Sequence, residues 1–527
     1  NYTQAFNAGE VSRKMDGRSD LEIYRTGCRD LDNFFVLPQG GVERRAGTEF
    51  VRFAGANGSN PAKMIEFDFS SDVFYVIELG TNYARVHYTE NGVDEVVNVT
   101  ETDNINYTEA ELKHIQFNRR YDTLILTCPT KETMVLKRTT IAPEFTIEKI
   151  SFAYPPLQEK NITSTTIDVS TLNSGNQYSG SVTLTPTSEI FFEGHVNSFW
   201  AIDHIRAANK KEIAGNVVNN VDSASSALDA SFSNWAFETD GNWEAEVIIQ
   251  RRIAGEIADG GTGWKNYVII GNTLGGVERN FKYASTTPEG ANTELRVKYR
   301  TQGNGGLEFS LEADNIYHKG LVKITAVDES VTPHTATATI VSQIQGGEAN
   351  PDEIIHWSEG AFSDYRGFSP ASEFFENRLW FAGSKDEPAD LFASVFGEIF
   401  NFLPGSLSTD AIKRTIDSPE EPKWLEAKRY LFLGTAGTAV SIRSADRDSL
   451  ITQNNITTLV ENAYGSAKLQ AEVANDVIVY VQRDGLKVRE LVFDSGQDSF
   501  VGNDLNLISE DITESGIKEM FLQKEPN

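Results

Sequence analysis

The chain has 527 residues, with 47 Lys and Arg against 76 Asp and Glu, a formal charge of −29 at pH 7, 39% hydrophobic residues and 10% aromatic residues. That apolar fraction excludes a disordered chain, and no apolar run approaches the roughly 20 residues a membrane helix needs. The acidic balance argues against a protein that grips nucleic acid by counterion release, yet it permits a surface past which nucleic acid slides.

At roughly 150 residues per domain the length suggests two to four domains, or fewer in an all-β architecture. Cys28 and Cys128 are the two cysteines, so neither a disulfide scaffold nor a Cys-rich zinc site is available, and a reduced compartment is expected. The Asn-x-Ser/Thr triplets at Asn57, Asn98, Asn106, Asn161 and Asn455 match chance in an Asn- and Thr-rich chain. The opening Asn1-Tyr2-Thr3-Gln4 has neither an initiator Met nor a secretion signal, which is consistent with processed or trimmed ends.

Basic residues are concentrated early: Arg13, Lys14, Arg18, Arg25, Arg29, Arg44 and Arg45 all fall in the first 45 positions. On a strongly acidic molecule they form a candidate docking surface for an acidic partner, a neighbouring copy of the chain included. Strand-like segments follow at Met64–Phe69, Val73–Leu79 and Tyr83–Tyr88, separated by turn-forming residues such as Asn91-Gly92. Helical periodicity is confined to Glu109–His114 and Ser509–Leu522, the latter opening on a Ser-Glu-Asp-Ile start signal.

A polar turn followed by a run of strong strand formers recurs at Ser71–Val76, Arg119–Leu126, Asn377–Phe381, Lys428–Leu433 and Asn475–Tyr480. Spacings of about 48, 51 and 47 residues within the two halves match a four-stranded propeller blade. Between Leu126 and Asn377 the period lapses. From about residue 160 to 350 the chain is richer in Gly, Ser, Thr and Asn, with strand patterns at Gly180–Leu184, Ala245–Gln250, Tyr267–Ile270, Leu295–Tyr299, Leu321–Val327 and Thr337–Val341. Either an inserted β-sandwich or degenerate blades would produce this stretch. The resulting expectation is an all-β chain with a β-propeller-like body interrupted by an inserted β-sandwich domain. Residues 1–158 hold the N-terminal segment and first blades, 159–350 the insertion, and 351–527 the remaining blades, the last of them open to truncation.

No pattern nominates catalysis. The histidines at 87, 114, 195, 204, 318, 334 and 356 form no metal-binding helix pair, and His195 and His204, which a hairpin would bring together, are read as structural. Ala258–Trp264 looks like a degenerate Asp box, the hairpin turn repeated in sialidases, but it occurs once and in the insertion. Asp417–Glu421 lacks the alternating ligands and Gly of a calcium loop and is read as a solvated acidic surface. Trp235, Trp243 and Trp264 are read as core residues or as aromatic platforms of a docking or carbohydrate-contacting module. No catalytic, metal or cofactor residue is assigned.

Four ordered blocks, Phe6–Ser12, Gly17–Tyr24, Gly27–Phe34 and Pro38–Phe50, resemble the opening of the tail nozzle proteins of short-tailed bacteriophages, also called tail tubular protein B. The resemblance continues in Ala361–Phe368, Phe374–Ser384, Asp410–Ile412 and Leu507–Ile517, and matches the insertion only loosely. Ala46 stands where that family usually has Pro, and the family usually continues with further strands beyond a segment like Gln523–Asn527. The resemblance implies a structural virion protein without catalysis or cofactor, located in the tail and assembled in the host cytoplasm. It further implies a hexameric ring below the portal and adaptor that holds tail fibres or other tail parts, with double-stranded DNA passing through unbound. Acidic side chains along such a channel would repel phosphate, which makes the −29 charge useful beside DNA. The rival expectations are a sialidase-like propeller glycosidase and a secreted β-rich adhesin.

Overall fold

The computed structural model describes residues 5–522 except 55–60, 71–72, 91–92, 140–142, 171–179, 219–220, 232, 241, 254–262, 273–277, 280, 286–288, 290–292, 302–305, 343, 345–353, 355, 406, 447–448 and 497–498. Strand dominates, as the composition and patterning require, and the chain divides into two compact units: residues 1–156 with 361–527, and residues 157–360. The second passage falls at Gly360/Ala361, later than the residue 350 read from the sequence. The reason is a long-range ladder. His356–Glu359 pairs antiparallel with Trp200–Asp203 and so belongs to the insertion.

Among the described residues the first unit contains five antiparallel meanders of four strands each, over residues 62–98, 116–149, 372–415, 422–462 and 472–504; the second meander also carries the short strand Thr100–Glu101. Every repeat found in the sequence lands on the second strand of a meander: Val73–Gly80, Thr123–Cys128, Arg378–Ala382, Leu431–Thr435 and Val477–Val481. A second strand is flanked by partners and, where neighbouring sheets cover both faces, reads as a continuous apolar run. Arg378–Ala382 and Leu431–Thr435 are buried at every position. The turns into these strands are set locally: Tyr121, Glu376, Asn377 and Asn475 adopt positive φ, a conformation that hairpin turns demand and that Asn tolerates.

Packing joins the sheets face to face in chain order. Ile65, Phe67, Ile77 and Val86 of the first sheet meet Leu124, Leu126, Leu136 and Phe145 of the second. The other face of the second, Ile125 and Val135, meets Leu379, Phe381 and Phe392 of the third. Trp380, Ala382 and Leu391 of the third pack on Leu425, Leu431 and Leu433 of the fourth. Trp424 and Phe432 of the fourth pack on Ile478, Tyr480 and Leu491 of the fifth. The face of the first sheet turned away from the second differs: buried Glu78 accepts hydrogen bonds from Tyr83 Oη at 2.6 Å and Arg85 Nη2 at 2.7 Å, with His87 Nε2 at 2.7 Å.

In the second unit, Phe199–Val217 and Leu307–Asp328 form a long antiparallel ribbon. One end of the ribbon shares a core with Ile167, Leu184, Ala338 and Trp357. The other end, through Phe309 and Leu311, packs with Asn234–Asp240 against a five-stranded sheet that contributes Val247, Ile249, Leu295 and Val297.

The short helix expected near residue 109 is a single turn, Glu109–Leu112, closed by a capping box in which Thr108 and Glu111 exchange hydrogen bonds. The expected helix over Ser509–Leu522 does not form. Only the 3₁₀ turn Glu510–Thr513 is present, because Ser509 Oγ donates to Glu10 O at 2.6 Å instead of capping, and Gly516 takes φ +85°. Trp380, wholly buried between the third and fourth sheets, tests this packing. Trp380→Ala should lower unfolding stability in urea by about 3–5 kcal/mol. Phe74→Ala, at an exposed site on the first sheet, should change it by no more than about 0.5 kcal/mol.

Candidate functional site

The early basic residues lie on an N-terminal segment that docks on the C-terminal turn. Ser12 N donates to Ile508 O at 2.8 Å, Ser12 Oγ to Asp511 Oδ1 at 3.0 Å, and Arg13 N to Asp511 Oδ2 at 2.7 Å. These donors, the Arg13 amide foremost, hold the Asp511 carboxyl below its ordinary range. Lys14 pairs with Glu510 at 2.6 Å. Two blocks far apart in sequence, Phe6–Ser12 and Leu507–Ile517, are therefore joined in space.

The seven basic side chains are all exposed, but they do not make a uniformly positive face. Arg18 forms a two-pronged pair with Asp20, Arg29 pairs with Asp16 at 3.2 Å, and Arg25 donates to Ser19 O. Across the first 45 residues the seven cations are matched by Glu10, Asp16, Asp20, Glu22, Asp30, Asp32 and Glu43, so the segment is neutral rather than basic. Arg44 and Arg45 stand apart from these pairs. Arg44 lies opposite Phe34 in the hairpin of Phe34–Val36 with Val42–Arg44. Beside them the sequence reading missed a group of exposed apolar side chains: Phe34, Phe35, Phe50, Val51 and Phe53. Phe50 and Phe53 stack edge to face at 4.8 Å. Large aromatics left in water mark an interaction surface. The signal available in the sequence was the place of Phe34 and Phe50 at the ends of two blocks that carry the resemblance, with Phe35, Val51 and Phe53 just beyond them.

A second cluster lies on the first strands of consecutive sheets. Glu373 is on Ser372–Phe375, Glu426 on Pro422–Ala427 and Glu472 on Glu472–Ala474. These strands are drawn together: Asn118 Nδ2 donates to Ser372 Oγ at 2.7 Å, Gln116 to Lys423 O, and Gln470 bonds both main-chain groups of Phe117. Burial pushes Glu373 up to about 8 against the opposing Phe374 amide. Burial, then the neighbouring Glu373 and Glu472 charges, raises Glu426 well above the carboxylate range.

Other sequence candidates resolve into structural roles. His195 sits in a 3₁₀ turn, with Nδ1 accepting from Phe192 N and Nε2 at 2.9 Å from Glu359. His204 is placed on the ribbon opposite His318 rather than beside His195. Glu420 and Glu421 are held by Thr435 and Lys423. Residues 258–262 of the Asp-box-like fragment lie outside the described residues. Trp235 and Trp243 are core residues, 3% and 1% exposed, whereas Trp264 is half-buried against Arg252 and Arg296. Cys28 and Cys128 are free thiols. Among the described residues no cluster of three His, Cys, Asp or Glu suits a metal ion, and no helix is long and apolar enough to cross a membrane.

No family model matches this chain, and no curated protein matches it. Among solved structures, a protein crystallised with a xylogluco-oligosaccharide aligns over 54% of this chain and 81% of its own, at 11% identity and a TM-score of 0.10. At that score the likeness carries no argument about fold or ligand.

Two predictions follow from the geometry of these clusters. A carboxyl with a raised folded-state value contributes stability that is complete below its unfolded value, near 4.5, and is lost as pH rises through the folded value, about 8 for Glu373. Glu373→Gln should therefore match the native chain in thermal unfolding at pH 4 and exceed it by on the order of 1 kcal/mol at pH 8.5. An equal difference at both pH values would contradict the assignment. Asp511→Ala, which removes the acceptor shared by Ser12 and Arg13, should loosen the N-terminal segment by about 1 kcal/mol. Trypsin cleavage at Arg13 and Lys14 should then become roughly fivefold faster.

Proposed function

We propose that this chain is a structural virion protein: the ring-forming nozzle of a short phage tail, extending the DNA-ejection channel below the portal and adaptor. The observation that carries the reading is the junction of the Phe6–Ser12 and Leu507–Ile517 blocks, two segments that resemble the nozzle family and are joined by Ser12, Lys14, Ser509 and Asp511. That junction anchors a segment whose far end presents Phe34, Phe35, Arg44 and Arg45 to solvent.

A ring needs a heterologous interface whose rotation closes. The exposed aromatics supply area that a neighbouring subunit or the adaptor would bury, and Arg44 and Arg45 supply charge complementary to a body of net −29. The same excess of carboxylates would line a channel that DNA crosses without adhering. Tail fibres or other tail parts would attach to the outer surface of the ring.

Native mass spectrometry tests the interface. The full chain should give hexamers, alone or with the adaptor, and a chain lacking residues 1–45 should not. Because that truncation also removes the contact with Asp511, the full-length double variant Arg44→Glu/Arg45→Glu serves beside it. Assembly should weaken by at least about tenfold, and unchanged assembly of both variants would overturn the interface.

A further inference from the structure

The five-stranded sheet of the second unit turns one face to the core, while the other is buried at Ile248 and Gln250 and open to solvent around them. Ala245, Val247 and Ile249 point inward with Val297 and Tyr299, so the alternation of the strand places Glu246, Gln250 and Arg252 on the opposite face with Glu294, Arg296 and Arg300. On that outer face the half-buried Trp264 indole contacts two guanidiniums, with Arg252 Cζ at 4.6 Å and Arg296 Cζ at 4.4 Å from the ring centroid. Lys298 and Arg300 extend the basic row as exposed side chains, and Ile269, 70% exposed, adds apolar surface.

The two guanidiniums are unequally neutralised. Arg252 pairs with Glu294. Arg296 gives its Nε to Gln250 Oε1 at 2.9 Å, a neutral acceptor, and its Nη groups meet no acceptor among the described residues. Gln250 is itself fixed, because its Nε2 donates to Asn266 Oδ1 at 2.8 Å, which leaves the exposed Asn266 its amide nitrogen as a donor. A guanidinium stacked on an indole uses its face and keeps its edge N–H groups, so it remains able to receive a two-oxygen anion.

From this geometry we propose that the outer face around Trp264, Arg252 and Arg296 binds an acidic saccharide, a chain of sugars bearing carboxylates. The edge of Arg296 takes a carboxylate in a forked pair. The indole and Ile269 cover the apolar C–H face of a sugar ring, and the Asn266 amide donates to a sugar oxygen. Single-stranded nucleic acid fits less well. Its successive bases need a row of aromatic platforms along a groove, and among the described residues the ring set against Arg252 and Arg296 is that of Trp264 alone. This site is independent of the nozzle reading, which rests on residues of the other unit.

The purified full chain, passed over immobilised oligogalacturonate, an uncharged glucan of equal length and oligothymidylate, tests the proposal. Retention on oligogalacturonate is expected, weakening as salt rises, with none on the uncharged glucan. Arg296→Gln and Trp264→Ala should each weaken retention at least about tenfold. Arg296→Lys, which keeps the charge but loses the fork, should also weaken it, and Arg443→Gln, at a comparable stack on Tyr430 in the other unit, should not. Thermal unfolding of Arg296→Gln, an outward-facing side chain, should overlay that of the native chain. Absence of retention on oligogalacturonate, retention unchanged by Arg296→Gln, or tighter retention on oligothymidylate would each overturn the assignment.

Discussion

A four-stranded sheet with two apolar faces cannot bury both within itself, and the first unit is organised around that constraint. Each meander turns one face to its predecessor and one to its successor, so Trp380 and Leu379, adjacent in one strand, serve different cores. This is why the second strands read as unbroken apolar runs. It is also why the first sheet, which has no predecessor, needs a different solution: its other face carries the Glu78, Tyr83, Arg85 and His87 network in place of aliphatic packing. A buried carboxylate is tolerated there because three partners surround it.

The same stacking draws the first strands together and concentrates charge on them. Glu373, Glu426 and Glu472 occupy equivalent strands of three consecutive sheets; burial favours the protonated forms of Glu373 and Glu426, and at Glu426 the neighbouring Glu373 and Glu472 charges add to it. Polar side chains of the second sheet and the approach to the fifth cross between these strands: Gln116 and Gln470 bond main-chain groups of Lys423 and Phe117, and Asn118 bonds the Ser372 hydroxyl. Apolar packing stabilises the sheets in pairs, while this polar layer links strands that belong to different sheets.

The repeats were legible because burial on both faces leaves a mark in the residues themselves, as in Leu431–Leu433. The ribbon of Phe199–Val217 with Leu307–Asp328 was not, since Asn209, Lys210, Lys211 and Glu212 follow no alternation that a strand pattern would detect. The end of the insertion was missed for a related reason: His356–Glu359 is held by a partner more than 150 residues away. The helix expected after Ser509 failed because a start signal states only what the side chain is able to cap, and Ser509 spends its hydroxyl on Glu10. Aromatic type alone did not separate Trp264, held at the surface by two arginines, from Trp235 and Trp243 in the core. Composition was likewise silent on the exposure of Phe34 and Phe35, and a local concentration of Arg and Lys concealed an equal number of interleaved carboxylates.

The functional reading joins these observations into one molecule: a β-sheet body whose joined termini anchor an aromatic and cationic surface, with an excess of acid suited to a DNA conduit. Single-particle electron microscopy of the purified full chain at micromolar concentration tests that reading most directly. The account predicts sixfold rings with the N-terminal segment at a subunit or adaptor contact and carboxylates enriched along the bore. Monodisperse monomers, or rings whose bore carries no such enrichment, would contradict it.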